Sequence, residues 1–183
     1  NRCRRQRQMC IRDRGNDIWG WTHTSTEREF LIWGVNVGSY FVEITHAAAA
    51  PPNAAAAPTV VGFLPHSGES ASSWHDIKVI DDYAYIGSEA KKHGMQIFDL
   101  TRLLNATENT QFDSDVIYRG TARSHNIVAN PDTKYIYIVG SRDGSNTCCK
   151  YSVSTRCYRC RKYIDWNICC LLYTSPSPRD EVL

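Results

Sequence analysis

Short runs of alternating apolar and polar residues occupy the middle of the chain, and the runs recur. REFLIWG (Arg28–Gly34), YAYIGS (Tyr83–Ser88) and YIYIVGS (Tyr135–Ser141) read as one strand written three times. GSYFVEIT (Gly38–Thr45) and GMQIFDLT (Gly94–Thr101) read as a second strand written twice: glycine, two variable residues, an apolar alternation, an acid, an aliphatic residue and threonine. Ahead of these lie NDIWGW from Asn16, HDIKVI from His75 and HNIVAN from His125, each a polar pair leading into an apolar run. TVVGFLP (Thr59–Pro65) and SDVIYRG (Ser114–Gly120) supply a further strand. A period of two in runs rich in Val, Ile, Tyr and Phe predicts strands, and no segment sustains a helical period. The residues between the runs, at Asp81–Tyr83, Asn130–Lys134 and Ser141–Asn146, are those that tolerate tight backbone reversals.

The unit recurs at about fifty residues once the tract HAAAAPPNAAAAP (His46–Pro58) is set aside as an expanded loop. Pro51 and Pro52 break any helix its alanines would form. Four short antiparallel strands per unit at this spacing predict the blade of a β-propeller, in which small sheets bury their two faces by stacking around an axis. The expected fold is all-β, a propeller fragment of about three blades, open rather than closed, because about four to eight blades close a ring.

Composition changes this picture at the ends. The chain has 183 residues with 21 basic and 19 acidic side chains, a formal charge of +2, so nothing draws it as a whole to nucleic acid or anionic lipid. The first fourteen residues nevertheless carry six arginines against one aspartate. Within them MCIRD (Met9–Asp13) is what the transposon end of a sequencing-library adapter encodes, and CLLYTSPSPRD (Cys170–Asp180) is what the reverse complement of that adapter encodes. Residues 1–15 and 169–183 are therefore read as adapter-like scars with no expected fold, and 16–148 as the repeat domain. Four thiols, Cys148, Cys149, Cys157 and Cys160, lie outside the scars and form a zinc-like inventory. The preferred reading of 149–168 is a frame slip or an irregular stretch without metal, since the turn and strand pattern is lost there. No run of about 20 apolar residues is present, so no membrane span is expected.

The segment from Asn16 to Cys148 resembles the choice-of-anchor B family, whose chains carry LVIVD-type repeats. The resemblance rests on NDIWGW, REFLIWG with GSYFVEIT, GFLP, SSWHDIKV, SEAKKHGMQIFDLT, SHNIV and SNTC in that order. It implies a β-propeller exported to the cell surface or released outside the cell, with an anchor supplied by a C-terminal part that this chain lacks. The Ala/Pro tract and everything after Cys148 depart from the family pattern. Cys148 would suit a disulfide in such a compartment.

In a propeller the first strand of each blade is innermost, so its polar entry residues point toward the channel mouth. Asp17, His75, Asp76, His125 and Asn126 are expected to converge there, with Glu89 and His93 reaching in from the SEAKKHG loop, as a ligand-binding site. The plainer alternative has these side chains tying blades together through hydrogen bonds to backbone. Loop histidines His23, His46 and His66 are read as solvated, and Trp19, Trp21, Trp33 and Trp74 as contacts between blades. No GxSxG, P-loop or dinucleotide motif appears, and no cofactor is expected. The leading expectation is a non-enzymatic, extracellular or cell-surface module that binds an extracellular protein or ligand. An exported propeller hydrolase using the His and Asp groups is the rival.

Overall fold

The computed structural model describes residues 14–44 and 58–141, together with the backbone of the strands at 147–150 and 158–159. Strands β1 (Gly15–His23), β2 (Arg28–Val35), β3 (Gly38–Glu43) and β4 (Thr59–Pro65) pair antiparallel in chain order. The pattern then repeats. Strands β5 (His75–Ile80), β6 (Tyr83–Ser88) and β7 (Met95–Asp99) begin a second sheet. The chain next passes through a 3₁₀ helix, Leu100–Asn105, and a two-residue strand β8 (Thr110–Gln111) before β9 (Val116–Tyr118) completes that sheet beside β7. A third sheet contains β10 (Asn126–Asn130), β11 (Tyr135–Val139), β12 (Thr147–Lys150) and β13 (Tyr158–Arg159), again in chain order. Every strand predicted over 16–141 forms, and none of the three sheets closes on itself.

Three details differ from the sequence reading. The first strand starts at Gly15, inside the stretch assigned to a scar. The 3₁₀ helix replaces the expected end of the third strand, because the ladder that pairs Tyr83 with Asp99 stops at Asp99. Its side chain instead accepts from Thr101 N at 2.9 Å and from Thr101 Oγ1 at 2.6 Å, which caps the helix. Strand β8, too short to show a period, pairs in parallel with the outer edge of β4 as a fifth strand. The β12–β13 pair falls largely in 149–168, where the sequence pattern is lost. Residues 1–13 and 169–183, the Ala/Pro tract with His46, and Cys157 and Cys160 lie outside the described residues, as do the side chains of Cys148 and Cys149.

Strand alternation gives the second sheet two apolar faces. Ile77, Ala84, Ile86 and Phe98 face the first sheet and meet Trp21, Phe30, Ile32 and Phe41, with Leu100, Leu103 and Phe112 sealing the end. Phe41 stacks on Phe98 with centroids 4.6 Å apart, and Phe112 stands edge-on to both. The opposite face presents Ile80, Tyr85, Met95 and Ile97 to Ile127, Ile136 and Ile138 of the third sheet. Each such side chain, fully buried, contributes about 1.5–3 kcal/mol, so the two joints hold the three sheets as one stack.

Glycine permits the close approach. A Cβ on Gly34 would lie 3.2 Å from both His75 Cβ and Ile77 Cδ1, and one on Gly87 would lie 2.5 Å from Ser124 Oγ and 3.3 Å from Ile127 Cγ2. Gly87 is the register partner of Asp76. In the third sheet the residue opposite Asn126 is Val139, so its outward face lacks this glycine.

Candidate functional site

The polar pairs that open β1, β5 and β10 occupy equivalent places, and the second members of the first two act on the next sheet. Asp17 Oδ2 accepts from the backbone N–H of Ile77 at 2.6 Å, and Asp76 Oδ2 accepts from the backbone N–H of Ile127 at 2.6 Å. Asn16 Oδ1 takes the N–H of His75 at 2.9 Å. These first strands are edge strands whose inner N–H groups have no ladder partner, and the side chain of the preceding unit supplies one. Lys78 joins the two staples: Nζ contacts Asp76 Oδ1, lies 3.9 Å from Asp17 Oδ2 and sits over the Trp19 ring at 4.6 Å. Burial pushes the Asp17 carboxyl above its ordinary value, against the lowering effects of the Ile77 N–H and Lys78.

Beside this line lies a cavity of about 420 Å³ lined by Asp76, Lys78, His125, Asn126, Ile127, Val128 and Val139. Asn126 Nδ2 donates to Asp76 Oδ2 at 3.3 Å. His125 Nδ1 is paired with Glu89 Oε1, which arrives from the end of β6. Five of the predicted site residues, Asp17, Asp76, Glu89, His125 and Asn126, therefore gather around one polar edge. Asp76 is largely committed to structure there, since it is 6% exposed and holds both a backbone amide and Lys78.

His75 and His93 do not join them. Alternation turns His75 toward the first sheet, over Gly34, where it is 5% exposed and neither ring nitrogen has a hydrogen-bond partner among the described residues. His93, fully buried in the β6–β7 turn, crosses its ring at 85° with centroids 6.0 Å apart. His66 is not a solvated loop residue: its ring stacks on His93 at 6.5 Å and its Nδ1 accepts from Gly68 N at 3.1 Å. Burial holds all three below the ordinary imidazole value, with His75 lowered to about 3 and His93 to about 4. Mutual repulsion lowers His75 further, whereas bonds from His93 to Gly94 O and Gln96 Oε1 oppose its shift without cancelling it. Sequence reading missed this cluster, because His66 lies ahead of β5 while His93 follows β6 and only the fold brings them together. His23, also read as a solvated loop residue, closes β1 and bonds Thr26 Oγ1 at 2.8 Å.

The tryptophans divide. Trp21 is buried in the joint between the first two sheets, donating from Nε1 to Asp82 Oδ1 at 3.2 Å, and Trp19 reaches across the same joint to roof Lys78, whereas Trp74 is 55% exposed. Trp33, Tyr40 and Phe63 are register partners across the outward face of the first sheet. Among the described residues no cluster of His, Cys, Asp or Glu is arranged to hold a metal ion, and no helix is long and apolar enough to cross a membrane. No protein-family model, curated protein or solved structure matches this chain.

Proposed function

We propose that the chain is part of a β-propeller of the choice-of-anchor B type, an exported or cell-surface module that binds an extracellular ligand at the polar edge formed by its first strands. The observation that carries this reading is the repeated staple. Asp17 to Ile77 and Asp76 to Ile127 place successive sheets in the same relation, with first strands side by side. That is the relation blades have around an axis. The ligand would enter the cavity next to His125 and Asn126, whose lining mixes a few polar groups with Ile127, Val128 and Val139.

A second reading, an exported hydrolase, draws on the His125–Glu89 pair, since a carboxylate that orients an imidazole prepares it for general base work. It is the weaker one. Among the described residues the cavity lining includes no Ser, Thr or Cys to serve as a nucleophile, and Asp76 is already engaged. An NMR titration of the chain against defined oligosaccharides and short peptides tests both. Shifts confined to Glu89, His125, Asn126 and Val139, with the probe recovered intact and binding lost in His125→Ala, support the binding module. Turnover of a probe that His125→Ala abolishes favours the hydrolase. Shifts at residues away from this cavity overturn both.

A further inference from the structure

We infer that His66, His75 and His93 form an acid-sensitive latch, which holds the first sheet on the second at neutral pH and lets that joint open as the surroundings are acidified. The three rings come from the β4–β5 connection, the start of β5 and the β6–β7 turn, so the cluster spans the boundary between the two sheets. Two of the three rings, His66 and His75, are held in a way that suits the neutral form. His66 Nδ1 accepts a backbone N–H and would have to release it on protonation. His75 would carry a buried cation with no acceptor at either nitrogen. His93 faces an acceptor at each nitrogen, Gly94 O and the Gln96 Oε1 that Pro65 O and Ser114 Oγ fix in place, so it is chiefly burial that keeps this ring neutral against its hydrogen bonds.

Among the described residues no carboxylate packs against the cluster to compensate a positive charge, and the two acceptors at His93 are uncharged. From the first sheet the neighbours are Gly34 and the side chain of Asn16, which bonds the backbone of His75. From the β9–β10 connection the neighbour is Arg119, a fixed cation whose Nη1 reaches His93 O at 3.3 Å. The nearby carboxylates are engaged elsewhere: Asp17 and Asp76 hold backbone amides and Lys78, and Glu69 is paired with Lys91 and Lys92. Each imidazole regains its ordinary affinity for protons when the joint opens, so lower pH drives opening by mass action.

The test uses the full 183-residue chain. Urea unfolding followed between pH 6 and 5 should show the opening constant rising about a hundredfold as two or more rings take up protons. His75→Phe, which keeps a planar ring and removes the orphaned nitrogens, should cut that rise about tenfold. An unchanged rise in a folded variant overturns the latch. Two measurements on the unsubstituted chain do not depend on the variant folding. Imidazole chemical shifts of the native state should report His75 and His93 neutral at pH 5, and a protonated ring at either position overturns the proposal. Amide exchange, corrected for intrinsic rate, should show Ile77 losing protection at pH 5 before Ile127. Simultaneous loss at both amides overturns a latch confined to the first joint.

Discussion

His75 and His125 stand at the same place in successive units, yet their surroundings have opposite chemistry. At the joint between the first two sheets, His75 lies against Gly34 beside two other imidazoles and has no carboxylate partner among the described residues. At the joint between the second and third sheets, His125 lies half-exposed against the Glu89 carboxylate. The backbone device is shared, an aspartate from one sheet taking an inner-strand amide of the next. The difference comes from the loops. The β6–β7 turn sends His93 toward one joint, and Glu89, at the end of β6, faces the other. One joint is thereby made sensitive to acid, while the other places a polar pair beside a cavity.

The largest expected effect breaks the comparison by pH. His75 and His93 have folded values of about 3 and about 4, below the ordinary 6.5, so their contribution is complete above pH 6.5 and is lost as pH falls toward those values. At pH 5 each ring should have cost about 2 kcal/mol of stability relative to neutrality. Urea unfolding of the unsubstituted chain checks this sum. A loss no greater than in His75→Phe would mean that the two joints do not differ in acid response.

Next in size is the staple itself. Asp76→Ala should destabilise by about 3 kcal/mol, because it leaves the buried Ile127 amide unpaired and strips Lys78 of its nearest carboxylate. Asp17→Ala removes the matching bond to Ile77, but the Asp17 side chain is 29% exposed against 9% for Asp76, so water replaces part of what is lost and the cost should be about 1–2 kcal/mol. Equal losses in thermal melts would show that burial does not set the strength of the two staples.

The sequence carried the strands and the equivalence of the polar pairs, because both follow from short-range pattern. Period-two alternation marks β1 to β7 and β9 to β11, and the recurrence of a polar pair before isoleucine marks Asp17, Asp76 and Asn126 as related positions. Which partner each side chain meets was not legible. That Asp76 points to the third sheet while His75 points to the first depends on the side of the stack each strand face addresses. The pairing of His125 with Glu89 depends on a contact 36 residues apart. The 3₁₀ helix was hidden for another reason: Asp-Leu-Thr fits a strand end in pattern, and only the hydrogen bonds of Asp99 reveal a cap.

Packing between the sheets offers a finer discrimination. Gly34→Ala would press a methyl group on His75 Cβ, Ile77 Cδ1 and the Asp17 carbonyl, none of which can rotate away without moving backbone or core, except the isoleucine tip. Gly87→Ala meets chiefly Ser124 Oγ, which can turn to another rotamer. Gly34→Ala should therefore cost about 2 kcal/mol and Gly87→Ala about 1 kcal/mol. The reverse order in urea midpoints would mean that Ser124 is locked and that the second joint is the tighter of the two.

The smallest effect tests whether the His125–Glu89 pair belongs to structure or to the cavity. Both side chains are more than a third exposed, 39% and 37%, so solvent screens their attraction and Glu89→Gln should change stability by less than about 0.5 kcal/mol. Glutamine keeps an acceptor oxygen for His125 Nδ1–H, so the ring holds its orientation while the negative charge at the cavity edge disappears. Any loss that does appear should shrink as salt is raised, as it does for exposed ion pairs. A salt-independent loss above about 2 kcal/mol would place the pair among the forces that hold the sheets together. His125 would then be a second structural histidine, and the contrast with His75 would be one of partner rather than of purpose.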